Sequence, residues 1–237
     1  MKDMTHIYLK GLIFIAALTP TGGSNLVTQR YIRHFNTVYL QPFESSSMQR
    51  IYDNILEWFF INNDLSRSIQ SMKEDIVQST IKFYNGVKIE KGLRPTPMKS
   101  HYVYNLRDVS KIFQGIAKSK AQSFRDNNDF IKLWAHECLR VFQDRLVSTT
   151  DRDLLQNILK ELIFRNFRVR WKQIVLVEPL LWSSFVPTIV PEGETKCLSN
   201  IYCELTDREK LSLIAKKHLS SYNKRHPGKK MDIVLFE

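Results

Sequence analysis

Two short apolar runs near the start of the chain are typical of β-strands. The first, Gly11–Leu18, is continuously apolar and is followed by a Pro- and Gly-containing turn at 19–23, as a buried strand of a parallel sheet would be. It is too short to cross a membrane, and the turn favours a strand over the hydrophobic region of a signal peptide. Residues 25–35 suit a short helix, and Thr37–Leu40 reads as a second strand. This order predicts one small α/β unit.

From Phe43 onward the apolar residues recur at helical spacing. One helix is predicted to begin at the serines starting with Ser45, and a second to begin at Ser66 and close near Gly86. A basic loop with two prolines follows at 88–99. The predicted buried faces are Met48, Ile51, Ile55 and Phe59 in the first helix, and Ile69, Met72, Ile76, Thr80 and Phe83 in the second.

Four further helices are predicted, joined by one irregular stretch. Asn105 is a good N-cap for a helix that buries Leu106, Val109, Phe113 and Ile116. Helices are then expected at about 128–147 and 151–165, and a capped helix at about 207–222. Between them the pattern loosens from Asn166: 169–177 is predicted to be extended, and three prolines interrupt the residues that follow. The fold class is therefore mainly α with a small α/β remnant.

Composition limits the function without selecting it. The chain has 237 residues, of which 43% are hydrophobic, which is enough for a core. The formal charge of +11 is compatible with an acidic partner, a neighbouring domain or simple solubility. The three cysteines are spread along the chain without a Cys-x-x-Cys pair, which argues against a disulfide framework and a zinc site and favours a reducing compartment.

The usual catalytic motifs are absent from the sequence. It contains no Gly-x-x-x-x-Gly-Lys-Ser/Thr loop to hold phosphates, and no apolar strand that ends in paired acids to hold magnesium. His136 and Glu137 are adjacent on a predicted helix, but Arg140 occupies the position where a zinc protease needs its second histidine. We therefore predict no metal site, and interpret the His-Glu step as solvated or ion-paired on a packed helix.

Two arginines are candidates for contact with phosphate. Arg33 ends the short helix predicted at 25–35, where a guanidinium could reach a neighbour's transferred phosphate in the manner of an arginine finger. Arg107 lies in the first turn of the helix capped by Asn105, where free N–H groups and the helix dipole favour an anion. The alternative for each is an ordinary surface charge or a local ion pair.

Several stretches, taken in order, resemble the third AAA+ module of dynein heavy chains. Thr28–Asn36 reads Thr-Gln-Arg-Tyr-Ile-Arg-His-Phe-Asn, and its ending resembles axonemal more than cytoplasmic dyneins. Pro95–Asp108 and Leu133–Leu146 are the longest and most specific matches. Farther on, Ile201–Asp207 and Met231–Phe236 resemble the approach to the fourth module. The resemblance covers nearly the whole chain from about Leu12 and fades between 166 and 200.

The resemblance implies a domain organisation. Residues 1–43 would be the remnant of an AAA+ core, with two strands and a helix, and 44–165 the helical lid region. An irregular linker would follow at 166–200, and the approach to the next AAA+ module would occupy 201–237. In the family, the phosphate loop and the magnesium-binding acids precede the strand that opens this chain.

It also implies a function and two site residues. The chain would be a segment of an axonemal dynein motor ring that contributes to ATP-dependent, minus-end-directed microtubule movement and to ciliary motion. Arg33 matches the candidate finger that faces the nucleotide site of the preceding module, and Arg107 matches the lid arginine called sensor 2.

The cofactor, partner and location expectations follow from the same resemblance. ATP or ADP with Mg²⁺ would act only within a complete heavy chain, and we expect no ATP hydrolysis by this chain alone. The implied partners are the neighbouring AAA+ modules, dynein intermediate and light chains, and microtubules, with no membrane and no nucleic acid. The implied location is the cytoplasm, cytoskeleton and ciliary axoneme.

Two departures from the family pattern keep other interpretations open. The turn at 19–25 is one arginine and one glycine poorer than the family's, and Trp182–Phe185 replaces a Phe-Gly-Asp-Phe-like stretch. A divergent paralogue or a broken gene model would produce both, and an inactive truncated product is one alternative. The other is a basic helical nucleic-acid-binding protein that uses the clusters at 88–94, 111–125 and 216–230, although the aromatic residues fall on predicted buried faces instead of between the basic residues.

Overall fold

A computed structural model describes residue 8 and residues 10–18, 27–184 and 201–234. The chain divides into two compact units, residues 1–42 and 43–237. The predicted turn at 19–25 lies outside the described residues, as do Phe185 and the last three residues of the chain.

The two strands predicted in the first unit are not formed. Residues 12–18 and 37–40 are irregular, and their apolar side chains are exposed, at 93% for Ile15 and 82% for Leu40. The prediction was wrong because a buried strand needs neighbouring strands for its backbone hydrogen bonds, and the described part of this unit forms no such pairing. The helix predicted at 25–35 is reduced to α1, Gln29–Ile32.

The second unit opens with three helices: α2 (Ser45–Asn62), α3 (Arg67–Gln70) and α4 (Lys73–Ile89). On α2 the predicted face is half wrong, since Ile51 and Ile55 are exposed, whereas Tyr52 and Leu56 are buried with Met48 and Phe59. Both stripes have helical spacing. The stacking of the Tyr52 ring on Phe113, with centroids 4.3 Å apart, accounts for the stripe that is buried.

The single helix predicted from Ser66 is broken into α3 and α4. Ser71 donates a hydrogen bond from its hydroxyl to the carbonyl of Ser68 at 2.7 Å, which is the local competition that ends short helices. The predicted stripe from Ile69 to Phe83 is nevertheless buried. Short 3₁₀ turns follow at Lys91–Leu93 and Pro97–Lys99.

The centre of the second unit is built from α5 (Leu106–Ile116), α6 (Asn127–Phe142) and α7 (Thr149–Phe167). A further 3₁₀ turn, Ala121–Ser123, joins the first two of these. Helix α5 packs on α6, and α4 packs on both α2 and α7. The core between them is aromatic; its largest fully buried side chains include Trp134, Tyr102, Phe59, Phe83, Phe113, Phe130 and Phe142.

The stretch predicted as extended, 169–177, instead contains the one-turn helix α8, Trp171–Ile174. This prediction was wrong because Gln173 accepts a hydrogen bond from the backbone N–H of Arg170 at 3.0 Å, which closes the turn locally. A cis peptide bond joins Glu178 to Pro179.

The only sheet in the described part of the chain is a small antiparallel pair. Strand β1 (Leu181–Ser183) pairs with β2 (Cys203–Leu205), with Leu181 opposite Leu205. We call the pair of β1 and β2 the hairpin, although 19 residues, 184–202, separate the two strands along the chain. The predicted C-terminal helix is present as α9, Arg208–Arg225, and Asp207 caps it by accepting from the N–H of Lys210. A mainly helical fold with a small β component is thus confirmed, although the strands lie elsewhere than predicted.

None of the helices in the described part of the chain is long and apolar enough to cross a membrane.

Candidate functional site

The N-terminus of α5 is fixed by a reciprocal pair of hydrogen bonds. The side chain of Asn105 accepts from the N–H of Asp108 at 3.2 Å, and the carboxylate of Asp108 accepts from the N–H of Asn105 at 3.1 Å. This is a capping box, in which each side chain accepts a hydrogen bond from the backbone N–H of the other residue. The predicted N-cap at Asn105 is therefore confirmed, and the first turn of α5 is held in one conformation.

A second layer of contacts holds the capping carboxylate. Arg145 donates to Oδ1 of Asp108 at 2.9 Å and to the carbonyl of Val103 at 2.8 Å, and the ammonium of Lys111 lies 3.2 Å from the same carboxylate oxygen. Burial alone would raise the pKa of Asp108, but the hydrogen bonds from Arg145, Asn105 and Lys111 hold that pKa below its usual value. The carboxylate consequently remains ionised and keeps its partners at neutral pH.

Arg145 also rests on an aromatic ring. Its guanidinium carbon lies 5.0 Å from the ring centre of Tyr104, within the range of a cation–π contact. Burial raises the pKa of Tyr104 to about 12, so the ring stays neutral beneath the cation. The start of α5 is therefore held in place by contacts among Tyr104, Arg145 and Asp108. The sequence pattern did not predict these contacts.

Arg107 projects from this rigid turn into solvent. It is exposed, and no hydrogen bond or ion pair joins it to another of the residues that the structure describes. An unpaired guanidinium beside the N–H groups of a capped 11-residue helix can bind an anionic oxygen of a phosphate. The site offers one cation and a helix dipole, which suits one phosphate group at the edge of a larger site.

Arg33 belongs to the first unit and is described by itself. It follows the last residue of α1, with helical backbone angles (φ −56°, ψ −19°), and its side chain is exposed. Among the described residues, its side chain makes a single long hydrogen bond, of 3.4 Å, from Nε to the ring of His34. The guanidinium is therefore available to a partner, as an arginine finger requires.

The His136–Glu137 step lies at the interior of the second unit. Both residues are buried on α6, and Arg140 donates to the Glu137 carboxylate at 2.6 and 2.8 Å. Of the two predicted alternatives, a solvated or an ion-paired step, the ion-paired one on a packed helix is therefore confirmed for Glu137. In the described ranges no group of three or more His, Cys, Asp or Glu side chains could hold a metal ion.

Two of the basic clusters that could contact nucleic acid differ in their surroundings. In the cluster at 111–125, the ammonium of Lys111 is already paired with the carboxylate of Asp108. The cluster at 216–230 lies on α9 and the turn after it, and α9 has no buried residues. The exposed lysines there supply charge, and the ring of Tyr222 packs at a tilt of 37° against the ring of His226, the residue that follows α9, with centroids 4.5 Å apart. No row of exposed aromatic rings lies between the basic residues of α9, as base stacking would require.

Comparison with known proteins gives one family match and a set of relatives. Residues 76–171 match the AAA+ lid domain, a range that includes Arg107 and the helices α5, α6 and α7. The chain is 32% identical to dynein axonemal heavy chain 6 of Homo sapiens over 95% of its own length. It is 33% identical to dynein axonemal heavy chain 10 of Homo sapiens and 32% identical to dynein axonemal heavy chain 12 of Rattus norvegicus, each over its whole length.

The matched region is a small part of each relative. The chain spans 5% of the length of heavy chains 6 and 10 and 8% of that of heavy chain 12. The agreement nevertheless runs from one end of this sequence to the other, and it includes the lid whose capped helix carries Arg107. The chain therefore belongs to the dynein heavy-chain family, as a segment that contains an AAA+ lid domain.

Proposed function

We propose that this chain acts as a segment of an ATP-driven dynein motor ring, in which Arg107 detects the nucleotide of its own AAA+ module. The observation that carries the proposal is the position of Arg107 in the matched lid, exposed and unpaired among the described residues, on a helix start that two layers of contacts hold rigid. The module is the third of the ring, by the resemblance of Pro95–Asp108 and Leu133–Leu146 to that module.

The chemistry at Arg107 is electrostatic. A guanidinium aimed at a terminal phosphate strengthens binding of the triphosphate over the diphosphate, because the added charge sits beside the fork of donors. This chain has no phosphate loop and no magnesium-binding acids, so ATP or ADP with Mg²⁺ is held chiefly by parts of a complete heavy chain that precede the lid. Arg107 then links nucleotide state to the position of the lid.

Arg33 has a different target. It would supply a positive fork to the nucleotide of the preceding module, where charge develops on the transferred phosphate during hydrolysis. The two arginines therefore serve two ATP sites, and neither acts within this chain alone.

The named relatives are axonemal dyneins, and we extend their printed location to this chain. Within a complete heavy chain it would contribute to minus-end-directed movement along microtubules in the ciliary axoneme, alongside neighbouring AAA+ modules and dynein intermediate and light chains.

The test uses a complete heavy chain that contains this segment. Arg107→Ala should weaken binding of a fluorescent ATP analogue to the module that owns this lid by roughly 10- to 100-fold, the usual effect of losing a hydrogen bond to a charged group. Arg165→Ala is the matched control, because Arg165 is an exposed arginine on α7 whose side chain pairs only with Glu161 of the same helix among the described residues. Equal affinities in the wild type and both variants would overturn the assignment of Arg107.

Arg33 needs its own measurement. Arg33→Ala should slow single-site turnover at the preceding module, by as much as the ~10³-fold or more that such fingers contribute, if that module hydrolyses ATP. Unchanged turnover in a module shown to hydrolyse ATP would remove the finger assignment.

A further inference from the structure

Helix α6 holds the hairpin through polar groups at both ends of its ladder. The Nδ1–H of His136 donates to the carbonyl of Leu180 at 2.9 Å, next to the start of β1. The hydroxyl of Tyr202, next to the start of β2, lies 2.6 Å from Oε1 of Glu137 and 3.1 Å from Nε2 of His136. Because β1 and β2 are antiparallel, Leu180 and Tyr202 lie at opposite ends of the pair.

The hydroxyl of Tyr202 donates its hydrogen bond to Glu137 and not to His136. Burial lowers the pKa of His136, so the ring is neutral at pH 7, and its one proton is on Nδ1 because the carbonyl of Leu180 can only accept. Burial and the neighbouring carboxylate both raise the pKa of Tyr202, which therefore keeps its proton. The shorter of its two contacts is to Glu137, and a hydrogen bond to a charged carboxylate is stronger than one between neutral groups.

Glu137 also touches α5. Its carboxylate lies directly against Gly115, since a Cβ atom added to that glycine would lie 1.9 Å from Oε2 of Glu137. The charge of Glu137 is neutralised by Arg140, and the carboxylate is almost fully buried. One carboxylate therefore joins three elements: α5 by close contact, α6 by the chain itself, and the hairpin through Tyr202.

A surface ion pair adds to this attachment. Lys132 lies one turn before His136 on α6, and its ammonium is 3.0 Å from the carboxylate of Glu204 in β2. Helix α9 begins three residues after the last residue of β2. Whatever fixes β2 to α6 therefore also fixes the start of α9.

We propose that Tyr202 is the positioning residue that fastens the hairpin and α9 to the lid, through its hydrogen bond to Glu137. A displacement of α5 and α6 is then carried to residues 201–225 as a movement of one body. Its link to nucleotide state rests on the proposed role of Arg107, which lies on α5 with Gly115. The hydrogen bond between Tyr202 and Glu137 forms without nucleotide. The attachment through Tyr202 can therefore be tested separately from the proposed role of Arg107.

The experiment measures hydrogen–deuterium exchange of this full chain without nucleotide. Tyr202→Phe removes one oxygen atom and should speed exchange of the backbone amides at 203–205 by about 10- to 100-fold. Tyr102→Phe is the matched control, because Tyr102 also donates a buried phenol to a carboxylate, that of Asp151 at 2.9 Å, at a different place on the lid. The control should speed exchange at 147–151, where the N–H of Val147 donates to that phenol, and leave 203–205 unchanged.

Two outcomes overturn the proposal. Unchanged exchange at 203–205 in Tyr202→Phe would mean that packing of Ile201 and Trp182 holds the hairpin without the phenol. Equally faster exchange throughout the chain would mean that Tyr202 contributes to global stability and fastens no particular element. The ATP affinity of Arg107→Ala in a complete heavy chain tests the proposed function separately. Neither a changed nor an unchanged affinity would alter the interpretation of the exchange measured for Tyr202→Phe.

Discussion

Gly115 offers the sharpest test of the packing around Glu137. It is a buried residue in the last turns of α5, and its missing side chain leaves the space that the Glu137 carboxylate occupies. In Gly115→Ala the new Cβ would lie 1.9 Å from Oε2, 2.1 Å from Cδ and 2.6 Å from Oε1 of Glu137. Contacts this short do not occur, so the carboxylate or the helix must move.

The magnitude follows from what the movement breaks. Glu137 cannot withdraw without lengthening its 2.6 Å hydrogen bond from Tyr202 and its bonds from Arg140, and losing one charged hydrogen bond costs about 1.5–3 kcal/mol. Strain from overpacking adds about 1–3 kcal/mol, and the better helix propensity of alanine returns up to ~1 kcal/mol. We expect a net loss of about 1.5–5 kcal/mol, which lowers Tm by roughly 3–20 °C in a domain of this size.

Gly86→Ala is the matched control. Gly86 lies inside α4, and a Cβ there would meet only Cγ2 of Ile158, at the ordinary distance of 3.5 Å. The same substitution should therefore stabilise the chain by about 0.5–1 kcal/mol through helix propensity alone. The two variants should differ in sign, as measured by urea unfolding followed by circular dichroism.

A double substitution separates the clash from other effects at Gly115. Glu137→Ala removes the obstructing carboxylate, so Gly115→Ala in that background should cost far less than in the wild type, with a coupling energy above about 1 kcal/mol. A neutral or stabilising Gly115→Ala in the wild-type background would refute the close contact between α5 and Glu137. So would additive costs in the cycle.

Three further predictions test the stability of the fold and its chemistry. Burial places the folded-state pKa of His136 below its ordinary value of about 6.5, so the neutral ring contributes fully to the free energy of unfolding above that pH, and this contribution is lost as the pH falls. The urea midpoint should therefore drop more steeply between pH 7.5 and about 5.5 in the wild type than in His136→Gln. Parallel profiles of the two proteins would contradict this. Asn105→Ala should cost about 1 kcal/mol in urea unfolding, whereas Ser148→Ala, at an N-cap without a side-chain capping bond, should change stability by less than ~0.5 kcal/mol. Isothermal titration of this chain with Mg-ATP should give no binding in the micromolar range, and salt-dependent gel shifts with duplex or single-stranded nucleic acid should give no strong binding; a tight complex in either assay would contradict the proposed function.

The features that the sequence predicted well are those with local causes. The preference of Asn105 for an N-cap position needs no tertiary context, and the structure forms this cap as predicted. The buried stripe from Ile69 to Phe83 was likewise predicted from its spacing, because an apolar face with helical period packs against the core. The helices predicted at 128–147, 151–165 and 207–222 were likewise found, with ends that differ from the prediction by up to five residues.

The wrong predictions share a different cause: they depended on neighbours. The run at 11–18 reads as a buried strand, but strand character is completed only by hydrogen bonds to adjacent strands. The choice between the Ile51 and Tyr52 stripes of α2 was decided by a ring on another helix, Phe113. Periodicity cannot carry that information, because both stripes satisfy it equally.

The contacts around Glu137 lie beyond sequence pattern for the same reason. Gly115 would be read as a weak point in a helix, Glu137 as half of a failed zinc motif, and Tyr202 as an aromatic residue in a loosely patterned stretch. Only the crossing of α5 and α6 turns the glycine into the space for a carboxylate, and only the return of the chain at Tyr202 gives that carboxylate its neutral donor. The lid helix that carries Arg107 and the strand that leads into α9 therefore meet at one buried charge, and a substitution that moves this charge should be felt at both.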